Sequence, residues 1–170
     1  MSLSEYVILR YIENQVTDNM KTIVLLMCGK NKLSHKAKAK DLYTSPRFQK
    51  SIEYAKTLTD YSNIYVLSAK HGLLGLEQEI APYDKSIYEM SVQEKKAWAD
   101  MVIKSLSNIS NLKEDKYIFL TDDDYNEFLL PYINNIELPL KDIRHDYHSE
   151  WFDNNKHFDT IKQIGVSNGF

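Results

Sequence analysis

The sequence predicts a three-layer α/β fold, in which a mostly parallel, Rossmann-like sheet carries helices on both faces. Three apolar runs, at residues 22–27, 64–67 and 117–120, have the length and composition of buried strands. Segments with apolar residues at helical spacing separate these runs along the chain. Such alternation of strands and helices is typical of parallel sheets, whose crossover connections are right-handed.

The length and composition fit one folded domain. The chain has 170 residues, of which 43% are hydrophobic and 26% charged, as in ordinary globular proteins. We expect residues 1–19 to form an N-terminal extension, because Met20 stands just before the first strand, and residues 6–12 fit a strand or a short helix. Residues 20–170 are then a single α/β domain.

Charge and cysteine content narrow the function classes. A net charge of −3 argues against a protein that coats nucleic acid non-specifically, so any such contact is expected to be local. Cys28 is the single cysteine, which excludes an internal disulfide and fits a reducing compartment. Without a leader-like segment or a run approaching 18 apolar residues, we expect a cytoplasmic protein without a membrane partner.

Two helices have recognisable starts. Pro46 suits a first helical turn with Ser45 as its N-cap. The apolar face of this helix comprises Phe48, Ile52, Ala55 and Leu58. A longer helix is expected from Ser91, which forms a capping box with Glu94, to about Ser110. Its apolar residues are Val92, Trp98, Met101, Val102 and Leu106.

The last third of the chain gives weaker patterns. Asp122–Asp124 follow the third strand and either start a helix that Pro131 disturbs or bind a divalent metal. Residues 136–138 fit a short last strand, and a helix is expected over roughly 149–163. His145 and His148 have the spacing of metal ligands but lack a cysteine or a second histidine pair. We therefore predict neither a metal nor a cofactor.

Cationic and glycine residues follow the first two strands. Cys28-Gly29-Lys30 ends the first, and Ser68-Ala69-Lys70-His71-Gly72 ends the second. In open α/β sheets the carboxyl edge of the strands is where ligands bind. The pattern therefore predicts a site for an anion at this edge, or, as the alternative, a structural turn at Ser68–Gly72.

Lysines are dense in the connection after the first strand. This segment is either a solvated loop or a phosphate-binding loop, since lysines at a strand end can meet a phosphate. Gly29 alone does not satisfy the spacing of a Walker loop. The lysines are Lys30, Lys32, Lys36, Lys38 and Lys40.

Two carboxylates lie beside tyrosines. Asp41 precedes Tyr43, and Asp84 follows Tyr83. A carboxylate can stabilise an oxocarbenium-like centre or activate water, and an aromatic ring can stack on a base. Either aspartate could instead be a turn or cap residue. Cys28, beside a cation, is either a thiolate nucleophile or a packing residue.

These motifs resemble a small uncharacterised family of bacterial and phage proteins, which is in turn similar to the YaaA-like proteins. The YaaA-like motifs Ser-Ala-Lys-Tyr-Gly-Leu-Leu and Pro-Tyr have the same order and similar spacing, and Tyr125 matches a tyrosine expected after the third strand. The resemblance covers residues 22–84 closely and extends loosely to about 140. The motifs here are Cys28–Lys32, Ala37–Pro46 with Phe48, Leu67–Leu74 and Ile80–Asp84.

The resemblance implies an α/β fold and a link to oxidative stress and DNA binding. Related proteins occur near genes for deazaguanine base exchange and DNA-base modification, which implies chemistry at a base or glycosidic bond. This chain is much shorter than YaaA itself, so the resemblance implies the shared pocket rather than the DNA-binding insert of the longer proteins.

Three functional hypotheses follow. The first is a nucleotide- or nucleic-acid-base-processing enzyme, such as an N-glycosidase or base transferase. The second is a non-catalytic nucleic-acid-binding stress protein that uses the lysine-rich loop, and the third is a prophage or stress accessory protein that acts through protein contacts. For the first, the expected catalytic residues are Asp41, Lys70, His71 and Asp84. Its expected ligand-binding residues are Cys28, Gly29, Lys30, Lys32, Tyr43, Ser68, Gly72, Tyr83 and Tyr125.

Overall fold

A central sheet of five strands organises the protein, whose computed structural model describes residues 1–156. Its strand order is β4-β3-β1-β6-β7, and β2 pairs with β5 in a separate ribbon. In chain order the strands are β1 Thr22–Met27, β2 Ala37–Lys38, β3 Ile64–Ser68, β4 Gly72–Gly75, β5 Glu79–Ile80, β6 Lys116–Leu120 and β7 Asn135–Glu137.

The sheet is mostly parallel, as predicted. Strand β1 pairs in parallel with β3 on one side and with β6 on the other, and β6 pairs in parallel with β7. The five residues Ile23–Met27 are all buried, which requires cover on both faces of the sheet. The α/β fold class is confirmed.

Helices precede, connect and follow the strands of the sheet. They are α1 Leu3–Asn19, α2 Ala39–Leu42, α3 Pro46–Ala55, α4 Val92–Ile109, α5 Asp123–Asn126 and α6 over 148–156. The α3 crossover leads from β1 to β3, and the α4 crossover leads back across β1 to β6. Because right-handed crossovers in opposite directions lie on opposite faces, the chain reverses its winding between β1 and β6.

Both predicted helix starts are confirmed. The Ser45 hydroxyl accepts a hydrogen bond from the Phe48 amide, with Pro46 as the first helical residue. At α4 the Ser91 hydroxyl accepts from the Glu94 amide, while the Glu94 carboxylate accepts from the Ser91 amide. These caps satisfy amides that a helix start leaves without partners.

The structure departs from the sequence-based expectations at several elements. The segment after β3 is an antiparallel strand, β4, because Gly72 adopts a left-handed conformation (φ 71°) that turns the chain back. Helix α4 buries Trp98, but Val92 and Met101 are exposed. The helix after β6 ends at Asn126, before it reaches Pro131, and residues 157–163 of the expected last helix lie outside the described residues.

The N-terminal extension is helical. Helix α1 exposes most of its apolar side chains, including Val7, Ile8 and Tyr11. Across residues 1–156, no helix combines the length and apolar character needed to cross a membrane.

Candidate functional site

Three hydroxyl groups meet at the carboxyl end of β3. The Tyr83 hydroxyl lies 2.7 Å from the Tyr43 hydroxyl and 2.7 Å from the Ser68 hydroxyl. Ser68 is the last residue of β3, Tyr43 follows α2, and Tyr83 lies in the segment after β5. Three separate segments of the chain are thus joined at one point of the sheet edge.

Burial keeps these tyrosines protonated. It raises the pKa of Tyr43 to about 12, and it raises the pKa of Tyr83 as well. Tyr43 is 0% exposed, so its ring has no free face, whereas Tyr83 is partly exposed. Tyr43 therefore positions Tyr83 through the contact between their hydroxyl groups. Tyr83 is the tyrosine of this pair that a ligand can reach.

Two ammonium groups lie near the Tyr83 ring. The Lys32 Nζ is 4.4 Å from the ring centroid, and the Lys70 Nζ is 6.0 Å from it. Both distances are within the range of cation–π attraction. Tyr83, Lys32, Lys30 and Asp84 line one open cavity of about 580 Å³. We refer to this cavity as the Tyr83 cavity.

His71 packs beside the same ring. Its imidazole meets the Tyr83 ring edge-on, with 5.4 Å between the ring centroids. The His71 amide donates to the Ser68 hydroxyl at 3.1 Å, and the Trp98 indole donates to the Ser68 carbonyl at 2.8 Å. Burial, followed by the charge of Lys70, lowers the pKa of His71, so a neutral imidazole is favoured near neutral pH.

A family model covers the strands and cavity described above. A family of unknown function, DUF6884, matches residues 23–154. The chain belongs to this family. The DUF6884 match runs from β1 into α6 and leaves out helix α1. No curated protein and no solved structure matches the chain.

Within the DUF6884 region, Cys28 and Tyr125 are not among the residues that line the Tyr83 cavity. The Cys28 sulfur is 3.3 Å from the Tyr125 hydroxyl, and both residues are buried. They connect the end of β1 to α5. Gly29 is close-packed, since a Cβ there would lie 3.3 Å from the Ser45 hydroxyl at the α3 N-cap. These residues therefore pack the elements at the sheet edge against one another.

Asp41 lies elsewhere. It is exposed and lines a different cavity of about 370 Å³, together with Lys40 and Glu77. Of the four predicted catalytic residues, Lys70 and His71 lie against the Tyr83 ring and Asp84 lines its cavity, whereas Asp41 does not.

Acidic partners account for part of the lysine-rich loop. Lys38 and Lys40 pair with Glu77 at 2.5 and 2.8 Å, and Lys36 pairs with Glu79 at 3.5 Å. Pairing of β5 with β2 brings Glu79, and Glu77 just before β5, beside the lysines. Lys30 and Lys32 are the members of the loop that line the Tyr83 cavity.

The acidic residues after β6 make protein contacts. The Asp122 carboxylate accepts from the Tyr88 hydroxyl, and the Asp124 carboxylate pairs with Lys95 at 2.5 Å. Asp122 stands at the N-cap position of α5 without making a side-chain cap bond. In the part of the chain that the structure describes, no three histidine, cysteine or carboxylate side chains are grouped to hold a metal.

Arg47 is a buried residue of this edge that sequence reasoning missed. Its guanidinium donates to the Cys28 carbonyl at 3.2 Å and is 8% exposed. A signal was available, because Arg47 shares a helical face with Ser51 and Ala55, which are also buried. A charged residue on the inner face of a helix needs a polar partner, and the end of β1 supplies one.

Proposed function

We propose that this protein binds a nucleotide, or a nucleotide unit of a nucleic acid, in the Tyr83 cavity and processes its base as an N-glycosidase or base transferase. The observation that carries the proposal is the placement of Lys32 and Lys70 around a partly exposed aromatic ring. Ammonium groups bind phosphate, and an aromatic face binds a base. The site thus offers ammonium groups to the phosphate of a nucleotide and an aromatic ring to its base.

Each residue has a defined role in this proposal. Lys30, Lys32 and Lys70 hold the phosphate, and the Tyr83 ring stacks on the base. An exposed cation–π contact is worth about 0.5–1 kcal/mol, so a base can replace the Lys32 ammonium on the ring at small cost. The displaced ammonium is then free to bind the phosphate.

The chemistry is assigned to Asp84 and His71. The Asp84 carboxylate stabilises positive charge at the anomeric carbon or activates the attacking water. The His71 imidazole, neutral near pH 7, donates a hydrogen bond to the leaving base. The resemblance to YaaA-like proteins and their base-modification neighbours supports this reaction class. The free thiol of Cys28 supports a reducing, cytoplasmic setting.

The alternative is a non-catalytic nucleic-acid-binding stress protein. The ion pairs in the lysine-rich loop favour nucleotide binding in the Tyr83 cavity over this alternative. That alternative uses the whole loop against a phosphate backbone, but Lys36, Lys38 and Lys40 already have carboxylate partners. A backbone would compete with Glu77 and Glu79 for these lysines. Lys30 and Lys32 line the cavity, and neither is paired with a carboxylate of residues 1–156.

A matched pair of lysine variants tests the binding. Titration calorimetry with the four 5′-mononucleotides is compared for wild type, Lys32→Gln and Lys36→Gln. Lys32→Gln should weaken binding about tenfold or more, as expected for a lost charge-assisted contact, while Lys36→Gln binds as wild type does. Equal affinities for wild type and Lys32→Gln would refute the Tyr83 cavity as the nucleotide-binding site. If the protein binds oligonucleotides tightly but not mononucleotides, and both variants show the same steep salt dependence, the lysine-rich loop is favoured as the binding surface.

Base release tests the chemistry. Chromatography of nucleotides or oligonucleotides incubated with the protein measures free base. Asp84→Asn and His71→Gln should each slow release about 100-fold or more while leaving nucleotide affinity within a few-fold of wild type. If nucleotides bind and no base is released from any of them, the proposed reaction fails although the binding site stands.

A further inference from the structure

The last described segment of the chain lies along α3. Residues 143–156, which we call the C-terminal strap, begin with a short 3-10 helix and continue as α6. The Trp151 and Phe152 rings pack on Tyr54 of α3, with centroids 5.2 and 5.6 Å apart from it. Lys50 of α3 also pairs with Asp153 at 2.5 Å.

His148 anchors the start of α6 in the interior. It is 0% exposed, and its Nε2 lies 3.0 Å from the Ile143 carbonyl oxygen. A carbonyl can only accept, so Nε2 carries a proton, and Nδ1 of the neutral ring is an acceptor. Within the described residues, the enclosed Nδ1 has no hydrogen-bond partner.

Charged groups from two other parts of the fold surround this imidazole. Burial most strongly lowers the pKa of His148; His145 and Arg47 lower it further, while the Ile143 hydrogen bond and Asp122 raise it. Arg47 Nη1 and Asp122 Oδ1 are likewise enclosed and lack partners among the described residues. The Arg47 guanidinium donates to the Cys28 carbonyl just after β1, and Asp122 follows β6, so the His148 imidazole is within electrostatic reach of the edge where the winding of the sheet reverses.

We propose that the C-terminal strap is a pH-sensitive cover, closed while His148 is neutral and opened when His148 is protonated. Protonation places a proton and a positive charge on the buried Nδ1, where burial disfavours the charge and the Arg47 guanidinium repels it. Opening hydrates all three unpartnered groups. It also exposes the Tyr54 ring of α3, on which Trp151 and Phe152 pack.

The direction in which strap opening depends on pH follows from the protonation of His148. Because the pKa of His148 is lower in the closed state than the ordinary value of 6.5, the open state binds more protons below pH 6.5. The opening constant therefore rises as the pH falls from 6.5 towards the pKa of the closed state. One proton taken up on opening raises the constant at most tenfold per pH unit.

Hydrogen exchange of the full chain, followed by mass spectrometry between pH 7.5 and 5.5, tests the proposal. After correction for intrinsic exchange, peptides from the strap should lose protection by up to tenfold per pH unit below 6.5, while β1 peptides keep theirs. His148→Gln, whose amide can still donate to the Ile143 carbonyl, should abolish this pH dependence. His35→Gln, at an exposed position, should behave as wild type.

Two results would overturn the proposal that the C-terminal strap is a pH-sensitive cover. One is a loss of protection in the strap and in β1 together, which is global acid unfolding. The other is the same pH dependence in His148→Gln as in wild type. If His148→Gln fails to fold, the wild-type protein still decides, because the pH dependence of strap exchange must follow the His148 imidazole titration measured by NMR.

Discussion

The hydroxyl oxygens of Tyr43 and Tyr83 lie 2.7 Å apart, although the residues are 40 positions apart in the chain. Tyr43 belongs to the core and Tyr83 lines an open cavity. The contact therefore fixes a ligand-accessible ring to a buried one. Ser68 completes the link to the central sheet through its own 2.7 Å contact with Tyr83.

Removing the Tyr83 hydroxyl should destabilise the fold. Tyr83→Phe leaves the buried Tyr43 hydroxyl without this partner, and we expect a loss of about 1–3 kcal/mol in the free energy of unfolding. Urea denaturation measures it. Tyr132→Phe, at a position 53% exposed, is the control and should stay within about 0.5 kcal/mol of wild type. Equal midpoints for the two variants would show that the hydroxyl contacts contribute nothing.

A side chain at Gly72 should destabilise the turn into β4. Its φ of 71° is unfavourable for residues with a Cβ, and an added Cβ would lie 2.8 Å from the Met101 methyl group. Met101 is exposed and can move, so the backbone dominates, and Gly72→Ala should cost about 1–2 kcal/mol in thermal or urea unfolding. Gly75→Ala is the matched control, because its Cβ would meet nothing within 4 Å. A similar cost for both variants would contradict this explanation.

The imidazole of His71 should titrate below 6.5. Burial and the Lys70 charge both lower its pKa, so Lys70→Gln should raise the midpoint measured by NMR, although burial keeps it below the ordinary value. Because the unfolded state then binds more protons, the contribution of His71 makes stability rise with pH below 6.5 and level off above it. Lys104→Gln, on the exposed side of α4, should leave the midpoint unchanged. An unshifted midpoint in Lys70→Gln would remove Lys70 from the surroundings of His71.

Local signals accounted for most of the fold. The strands at 22–27, 64–67 and 117–120 and the caps at Ser45 and Ser91 depend on neighbours within a few residues. A buried strand is apolar on both faces, and a helix start needs an acceptor three residues ahead, so both are visible in a short window. Strand β4 was missed because Gly72-Leu73-Leu74-Gly75 is too short and too rich in glycine to be distinguished from a turn.

The candidate site was predictable in part. Motif order suggested that Lys32, Lys70, His71 and Tyr83 lie together, and their side chains do surround one ring. The separation of Asp41 from that cavity was not predictable. Its position depends on where the β2–β5 ribbon places α2, which is set by pairing between residues about 40 positions apart.

By itself the sequence determined the parallel α/β architecture, the strand ends that carry cations, and the capped helices that follow them. These features arise from burial of apolar runs and from hydrogen bonds within one turn, which act along the chain. Tertiary structure alone decided which lysines are neutralised by Glu77 and Glu79, which tyrosine a ligand can reach, and that Arg47, Asp122 and His148 each bury a polar atom that has no partner among the described residues. Charge pairing and exposure depend on which distant segments meet, and that follows from packing of the whole chain.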